Sequence, residues 1–296
     1  MNFKNVTVAG SGVLGYQIAF QTAFHGFKVT VYDINDEILA KAKAKFFELS
    51  ECYKRDLNAT QEQLDNTFNN LSYQSNLAEA VKDADLVIEA APEDVAIKTE
   101  FYKQLSQVAP AKTVFATNTS TLLPSQFAET TGRPEKFLAL HFANLIWVNN
   151  MAEIMGHAGT DKKVFDDLVE FAKAIGMVAL PIYKEQPGHI LNSMLVPYCI
   201  SALELWVKEV SDPHTIDKTW MKSFGSPKGP FAILDIIGIT TVYNVAKLNV
   251  ETNPLMASIL EKLEKEFIHP GHLGMATGKG FYNYPNPAYE SAQFLK

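Results

Sequence analysis

Cysteine, clustered basic residues and long apolar runs are all scarce in this sequence. Its only two cysteines, Cys52 and Cys199, give no disulfide framework, so a reducing cytoplasmic location is expected. The net charge is −7 and no basic block occurs, which argues against nucleic acid or an anionic membrane as a partner. The longest apolar runs, such as ADLVIEAAP, are too short to cross a bilayer, and no signal peptide is expected before the first strand. We therefore expect an ordinary globular protein.

Short apolar stretches alternate with helical patterns over the first part of the chain. The charged stretch 35–70 is predicted to form two helices that break at residues 58–60. Strands are predicted at 5–10, 27–33, 84–90, 113–118, 136–142 and 177–182. This alternation predicts βαβ units and a mainly parallel, doubly wound α/β sheet of the Rossmann type.

After Pro187 and Gly188 the pattern changes to helices alone. Helical stretches are predicted at about 190–209, 213–222, 230–247 and 253–267. A chain of 296 residues is long enough for two domains. We expect a sheet domain over residues 1–185 and an all-helical domain over residues 186–296.

The motif GSGVLG follows the first strand and opens a helix, which is the context that a dinucleotide-binding fingerprint requires. Asp33 ends the second strand, where a carboxylate accepts hydrogen bonds from ribose hydroxyls and repels a 2′-phosphate. No arginine follows in DINDE, so the sequence favours NAD over NADP, although the motif alone leaves a flavin open. The predicted cofactor-binding residues in the motif are Gly10, Gly12, Val13, Leu14 and Gly15.

The stretch LHFANLIWVNNMAEI places His141 among apolar residues, with Glu153 twelve positions later. Buried histidine and glutamate side chains are costly unless their charge or hydrogen bonds are used. Histidine is suited to act as a general acid or base near neutral pH. Two hypotheses follow: a catalytic acid–base pair, or a satisfied core histidine near an incidental glutamate.

Several blocks, taken together and in order, resemble the L-3-hydroxyacyl-CoA dehydrogenases, including 3-hydroxybutyryl-CoA dehydrogenases. They are GSGVLG, IEAAPED, TNTS, HFAN with the following AEI, PGHILN, GSPKGPFAILDIIG and GKGFYNY, and they cover nearly the whole chain. The resemblance implies an NAD-dependent enzyme that interconverts a short-chain (S)-3-hydroxyacyl-CoA and its 3-oxoacyl-CoA. It also implies a homodimer that forms through the helical domain.

The resemblance also implies roles for single residues. His141 and Glu153 match the catalytic pair, and Ser120 matches a serine that hydrogen-bonds the substrate oxygen. Asn192 matches an asparagine that holds the acyl group, and Asn144 matches a supporting active-site residue. The residues that the resemblance assigns to the cofactor are Glu93, Lys98 and Asn118.

The sequence departs from the family around the substrate. Segment 143–150, ANLIWVNN, lacks the usual proline turn, His189 stands where the family has phenylalanine, and Ser193 where it has arginine. Lys54 and Arg55 are the candidates for contact with the phosphates of coenzyme A. For Lys41, Lys43 and Lys45, the preferred interpretation is a solvent-exposed helix face without a ligand. No metal site is predicted, because the His-x-x-His pair His269 and His272 lies in a loop rich in proline and glycine.

Two other hypotheses therefore stay open. One keeps the chemistry but replaces the thioester with a free 3-hydroxy acid of the L-gulonate or carnitine type. The other is a dinucleotide-binding protein without turnover, like the lens proteins built on this fold. The intact set of Ser120, His141, Glu153 and Asn192 argues against the second of these.

Overall fold

The computed structural model, which describes residues 3–247, 250–251 and 253–296, contains one eight-stranded sheet. Its order is β3-β2-β1-β4-β5-β6-β7-β8, and every neighbouring pair is parallel except β6 and β7. The first six strands have the 3-2-1-4-5-6 order of a dinucleotide-binding fold, which confirms the predicted fold class. The strands are β1 (Asn5–Ala9), β2 (Lys28–Tyr32), β3 (Leu71–Gln74), β4 (Leu86–Glu89), β5 (Val114–Thr117), β6 (Phe137–Phe142), β7 (Met151–Met155) and β8 (Val178–Ile182).

Helices connect these strands. The predicted break at residues 58–60 is confirmed: Asn58 adopts the left-handed conformation after the first helix, and Thr60 forms a capping box that starts the next. The helices are α1 (Gly15–Phe24), α2 (Asp36–Leu57), α3 (Gln61–Asn70), α4 (Leu77–Val81), α5 (Val95–Val108) and α6 (Lys162–Ala174). Single 3₁₀ turns occur at Pro124–Gln126, Glu129–Thr131 and Pro134–Lys136.

Strands β3 and β7 are missing from the strand list predicted from the sequence. Strand β3, LSYQ, has only four residues, and apolar and polar residues alternate in it, so it lacks the apolar run of its neighbours. Strand β7, MAEIM, carries Glu153 at its centre, although four of its five residues are buried. A buried charge interrupts the apolar pattern by which a core strand is recognised, so the prediction failed at the strand that carries a proposed catalytic residue.

The chain divides into two compact units, one that extends to Ser193 and one that spans Met194–Lys296. The helices that follow are α7 (His189–Val207), α8 (Pro213–Phe224), α9 (Pro230–Ile237), α10 (Ile239–Lys247) and α11 (Met256–Leu263). A π-helical turn, Glu264–Ile268, continues α11, and 3₁₀ turns occur at Met275–Thr277 and Ala288–Glu290. The prediction of one helix over 230–247 is wrong, because Gly238 with φ +93° ends α9 and separates it from α10.

Each unit has its own apolar core. In the first unit, aromatic side chains of α1 and α2, among them Phe20, Phe46 and Tyr53, pack with β-branched residues of the central strands. In the second unit, Trp206 and Phe231 lie in a cluster formed by its helices and the chain that follows them. The first core holds the sheet in place, and with it the side chains that lie on its strands and at their ends.

Helix α7 corrects the expectation that no apolar stretch is long enough to cross a bilayer. It has 19 residues, and its apolar window has a mean hydropathy of 1.5 with 22% of that window buried. Polar residues such as Asn192 and Ser201 interrupt the apolar run in the sequence. One such helix is weak evidence for a membrane span, since a core helix has the same length and composition.

Candidate active site

The glycine motif forms an open cradle after β1. Gly10 has φ +100°, and a Cβ atom there would lie 2.5 Å from the carbonyl oxygen of Ala90. A Cβ on Gly15 would lie 1.8 Å from the carbonyl oxygen of Gly10, so the strand and the helix can approach this closely only with glycine. A Cβ on Gly12 would meet no atom within 4 Å, and the N-terminus of α1 has no side-chain cap. Its free N–H groups suit a pyrophosphate.

Asp33 is held rigidly at the end of β2, beside this cradle. Its Oδ2 accepts hydrogen bonds from the main-chain N–H and the hydroxyl of Ser11, at 2.7 and 2.6 Å. Its Oδ1 accepts from the N–H of Ile34 at 2.8 Å. The half-buried carboxylate therefore has a fixed position, from which it can bind ribose hydroxyls and repel a 2′-phosphate.

The antiparallel register of β6 and β7 brings His141 and Glu153 together. The two residues are direct partners in the ladder, so their side chains lie on the same face of the sheet. The Nδ1 atom of His141 lies 2.8 Å from Oε2 of Glu153, and both side chains are buried. The distance shows a hydrogen-bonded pair, which excludes an incidental surface glutamate.

The second oxygen of Glu153 binds the first turn of α7. Its Oε1 accepts hydrogen bonds from the N–H groups of Ile190 and Leu191, both at 2.9 Å. Burial acts to raise the pKa of Glu153, but the hydrogen bonds from His141 and Leu191 outweigh it and hold the pKa below its usual value. Both oxygens are thus occupied, and the carboxylate has one orientation toward His141.

Ser120 lies on the opposite edge of the His141 ring. Its Oγ is 3.2 Å from Nε2 of His141, in the loop that follows β5. Glu93 holds that loop, because its Oε1 accepts from the N–H of Ser120 at 2.9 Å and from the hydroxyl of Thr119 at 2.6 Å. Despite burial, the hydrogen bond from Thr119 and the charge of Lys98 keep the pKa of Glu93 below its usual value. The serine is therefore fixed within reach of the ring.

Asn192 and Asn118 lie beside these groups. The Nδ2 of Asn192 is 3.5 Å from the main-chain oxygen of Ser120, which makes this contact long. The Oδ1 of Asn118 accepts from the N–H of Phe142 at 3.0 Å and ties the end of β5 to β6. The structure thus brings four predicted residues together in the first unit: Ser120, His141, Glu153 and Asn192.

Glu89 is a buried acidic residue that the sequence analysis missed. Its Oε1 lies 2.6 Å from Nζ of Lys98, which is itself buried, and its Oε2 accepts from the hydroxyls of Tyr102 and Thr117 at 2.9 and 2.7 Å. Lys98 also lies 3.5 Å from Glu93. Glu89 could have been identified from the sequence, because it is an acidic residue in an otherwise apolar strand, within the block IEAAPED.

Segment 143–150 connects β6 to β7 and is anchored by side chains outside it. Gln17, also missed from the sequence, donates to Oδ1 of Asn144 at 2.8 Å and accepts from the N–H of Leu145 at 2.9 Å. The indole N–H of Trp147 donates to Oδ2 of Asp56 at 2.9 Å. The amide oxygen of Asn144 is therefore already engaged, and the segment is bound to α1 and α2.

The basic candidates Lys54 and Arg55 pair with acidic neighbours on α2. Lys54 lies 2.8 Å from Glu51, and Arg55 lies 2.7 Å from Asp56. The pKa of Asp56 is lowered to about 2, first by the hydrogen bond from Arg55 and then by that from Trp147. Over residues 3–247, no hydrogen bond or ion pair joins Lys54 or Arg55 to the His141–Glu153 pair.

Comparisons with known proteins identify the family of this chain. A family model described as the NAD binding domain of 3-hydroxyacyl-CoA dehydrogenase matches residues 5–186, and one described as its C-terminal domain matches residues 188–284. The mitochondrial hydroxyacyl-coenzyme A dehydrogenase of Homo sapiens is 34% identical over 95% of this chain and 91% of its own length. A probable 3-hydroxybutyryl-CoA dehydrogenase of Bacillus subtilis is 32% identical over 96% of this chain and 98% of its own length.

A solved structure gives a further comparison. It is the structure of a diketoreductase, reported for its substrate-directed dual catalysis of dicarbonyl compounds, and it is 51% identical to this chain. The match has a TM-score of 0.92 and covers 96% of this chain and 100% of the other. With both domain models matched in order along the chain, this protein belongs to the 3-hydroxyacyl-CoA dehydrogenase family of NAD-dependent oxidoreductases that act on a CH–OH group.

Proposed function

We propose that this protein interconverts a short-chain (S)-3-hydroxyacyl-CoA and its 3-oxoacyl-CoA, with His141 and Glu153 as the acid–base pair. The observation that carries the proposal is the hydrogen-bonded line from Ser120 through His141 to Glu153. One end of that line is an internal carboxylate with both oxygens occupied, so only the Ser120 end is left for a substrate hydroxyl. The names of the human and Bacillus relatives support the thioester substrate.

Bound NAD would accept or return the hydride at C3 of the substrate. The residues that would hold it are Gly10, Gly12, Val13, Leu14, Gly15, Asp33, Glu93 and Asn118. Lys98, also predicted as a cofactor contact, is buried with its ammonium bound to Glu89. In the oxidation, the electron pair of the C3–H bond leaves as hydride, and Nε2 of His141 takes the hydroxyl proton. Glu153 fixes the tautomer through Nδ1–H and stabilises the imidazolium that forms. In the reduction, His141 returns the proton to the same oxygen.

Ser120 and Asn192 orient the reacting group in this mechanism. The hydroxyl of Ser120, 3.2 Å from Nε2 of His141, donates to the oxygen as carbonyl character develops. Asn192 lies beside the main chain of Ser120 and holds the acyl portion, while Asn144 supports the loop that follows His141. A positioned base of this kind contributes about 10²–10⁴-fold to the rate.

The test is to follow NADH absorbance with acetoacetyl-CoA, and then with free 3-hydroxy acids such as L-gulonate and carnitine. We expect turnover with the thioester. Turnover with a free acid but not with the thioester would contradict the proposed substrate. Tight NADH binding without turnover of any of these compounds would favour a binding protein and contradict the proposed reaction.

A second candidate substrate is a dicarbonyl compound or 3-hydroxy acid without coenzyme A. The 51% identical structure is described by its action on dicarbonyl compounds. Lys54 and Arg55, the candidates for the phosphates of coenzyme A, are each paired with a neighbouring carboxylate. Competition of the two substrate classes in one assay decides between them, because the preferred class will have the higher kcat/KM.

We also propose that the NAD preference comes from Asp33. Its carboxylate is fixed by Ser11 and Ile34, so it cannot turn away from a 2′-phosphate. We expect kcat/KM for NADH to exceed that for NADPH by more than about tenfold, which corresponds to ~1.4 kcal/mol. Equal values for the two cofactors would contradict this role.

We further propose a homodimer that forms through the helical unit. Only 22% of the apolar window of α7 is buried, and Met194 and Leu205 are exposed on it. A helix that is apolar on most sides but exposed usually packs against a partner. Sedimentation equilibrium should give a dimer, and Leu205→Glu should weaken it. A monomeric wild-type protein at micromolar concentration would contradict this proposal.

A further inference from the structure

His189 is a buried imidazole that the proposed mechanism does not use. Its side chain is fully buried, and its ring stacks on that of His141 with centroids 4.6 Å apart and planes at 25°. Neither ring nitrogen makes a hydrogen bond with the part of the chain that the structure describes. A buried polar group without a partner is costly, so a phenylalanine would fill the same space at lower cost if packing were the only role.

The main chain fixes the position of this ring. His189 has φ +57°, an uncommon conformation for a residue other than glycine. Its N–H donates to the carbonyl oxygen of Gln186 at 2.9 Å, and its own carbonyl oxygen accepts from the hydroxyl of Ser193. The next two N–H groups bind Glu153. The turn whose N–H groups orient the Glu153 carboxylate therefore also holds the His189 ring against the ring of His141.

A metal centre does not explain this cluster. His141, Glu153 and His189 offer ligand atoms within 4.8 Å of one another. The lone pairs of an imidazole lie in the plane of its ring, so two stacked rings direct them side by side rather than toward one point. In addition, Nδ1 of His141 is engaged by Glu153 at 2.8 Å. The arrangement suits a hydrogen bond to a ligand better than coordination of an ion.

The charge state of His189 agrees with a hydrogen-bonding role. Burial, and then the neighbouring His141, lower its pKa to about 4, while the charge of Glu153 acts in the opposite direction. The ring is therefore neutral at pH 7 and offers one N–H donor and one acceptor. A neutral ring can also lie against the imidazolium that forms on His141 without electrostatic repulsion.

We propose that His189 is a specificity-determining residue whose ring N–H binds the second oxygen of a 1,3-oxygenated substrate. This inference rests on the proposed function, which places the reacting oxygen between Ser120 and His141. The two oxygens of such a substrate are roughly 3–5 Å apart, given ordinary C–C and C=O bond lengths. One ring nitrogen of His189 lies within 4.8 Å of one ring nitrogen of His141, which matches that separation. Asn192, three residues later on α7, lies on the same side of the helix.

The test compares three variants with acetoacetyl-CoA and NADH. His189→Phe keeps an aromatic ring on His141 but removes the N–H, so KM should rise about tenfold, while kcat falls less and the Kd of NADH is unchanged. The Tm of this variant should not fall, because an unpartnered polar group is removed. His189→Asn restores a donor and should recover part of the KM. His269→Phe, at a histidine whose side chain is 69% exposed, is the matched control and should behave as the wild type.

The outcomes separate this inference from the proposed function. If the wild type turns over and His189→Phe has the same KM, the role of His189 is wrong and the proposed function stands. A parallel loss of kcat, NADH affinity and Tm in both His189 variants would show a purely structural ring and would also overturn the inference. If the wild type turns over no 3-oxoacyl or 1,3-dicarbonyl compound, both proposals fail.

Discussion

Two glutamates of the same sheet, Glu89 on β4 and Glu153 on β7, are both fully buried but differ in their partners. Glu89 is bound to Lys98, with further hydrogen bonds from tyrosine and threonine hydroxyls. Glu153 is bound to His141, whose other nitrogen faces Ser120. A lysine ammonium has only donors, whereas histidine can gain or lose a proton near neutral pH. Equal burial therefore serves stability in one region and, we propose, proton transfer in the other.

The largest expected effect is at the histidine-linked glutamate. His141→Ala or Glu153→Gln should each lower kcat by about 10²–10⁴-fold, because the base or the group that fixes its tautomer is lost. The Kd of NADH, measured by fluorescence titration, should stay near the wild-type value. Activity close to that of the wild type in either variant would remove the distinction between the two glutamates.

The next effect is at the lysine-linked glutamate and concerns stability. Lys98→Met leaves Glu89 buried without its cation, which should lower the free energy of unfolding in urea by about 3–5 kcal/mol. The double variant Glu89→Gln with Lys98→Met should recover part of this loss. The matched control is Lys112→Met, which breaks an ion pair with Asp85 where Lys112 is 56% exposed, and it should cost ~0–1 kcal/mol. Equal losses for Lys98→Met and Lys112→Met would be evidence against a structural role for the buried pair.

A smaller effect is expected when only one donor to Glu89 is removed. Tyr102→Phe deletes the hydroxyl that lies 2.9 Å from Oε2 of Glu89 and should cost about 1.5–3 kcal/mol. The buried ring itself is kept, so packing changes little. Thermal and urea unfolding of this variant can be compared with Tyr183→Phe, at a residue that is 92% exposed. A Tyr102→Phe variant as stable as the control would mean that the hydroxyl contributes nothing to the network.

The smallest effect is the pH dependence of the Glu153 contribution. The folded protein holds the pKa of Glu153 below its usual value. The contribution of the ionised carboxylate to the free energy of unfolding is therefore complete above the pKa of the unfolded chain, about 4.3, and is lost as the pH falls through the pKa of the folded protein. The difference in unfolding free energy between the wild type and Glu153→Gln should therefore shrink from pH 5 to pH 3.5. A difference that grows toward acid pH would have the wrong sign for this assignment.

The elements that repeat along the chain were predictable from the sequence. The βαβ alternation, the glycine motif and the break at Asn58 each depend on a local pattern, and the structure confirms all three. Strand β7 was not predicted, because its central glutamate looks like a surface residue until its partner is known. The split of the predicted helix 230–247 was also missed, since a single glycine is tolerated in many helices.

The site was predictable as a set of residue types but not as a network. The resemblance to a known family was enough to pair His141 with Glu153. The register that places them opposite each other is formed by the pairing of β6 with β7. The contacts of Gln17 with segment 143–150, and of Lys98 with Glu89, join positions that are far apart in the sequence or lie on different elements. No local pattern encodes such contacts.

The ladder between β6 and β7 also decides which part of this protein can be exchanged. His141 and Glu153 are aligned by main-chain pairing, while the connection between them, residues 143–150, is tied to α1 and α2 by its own side-chain contacts. A library that randomises the exposed residues Val148 and Asn149, and keeps the buried Ile146 and Trp147, should leave the strand register in place. The same arrangement lets exposed positions of this connection change while His141 and Glu153 stay aligned.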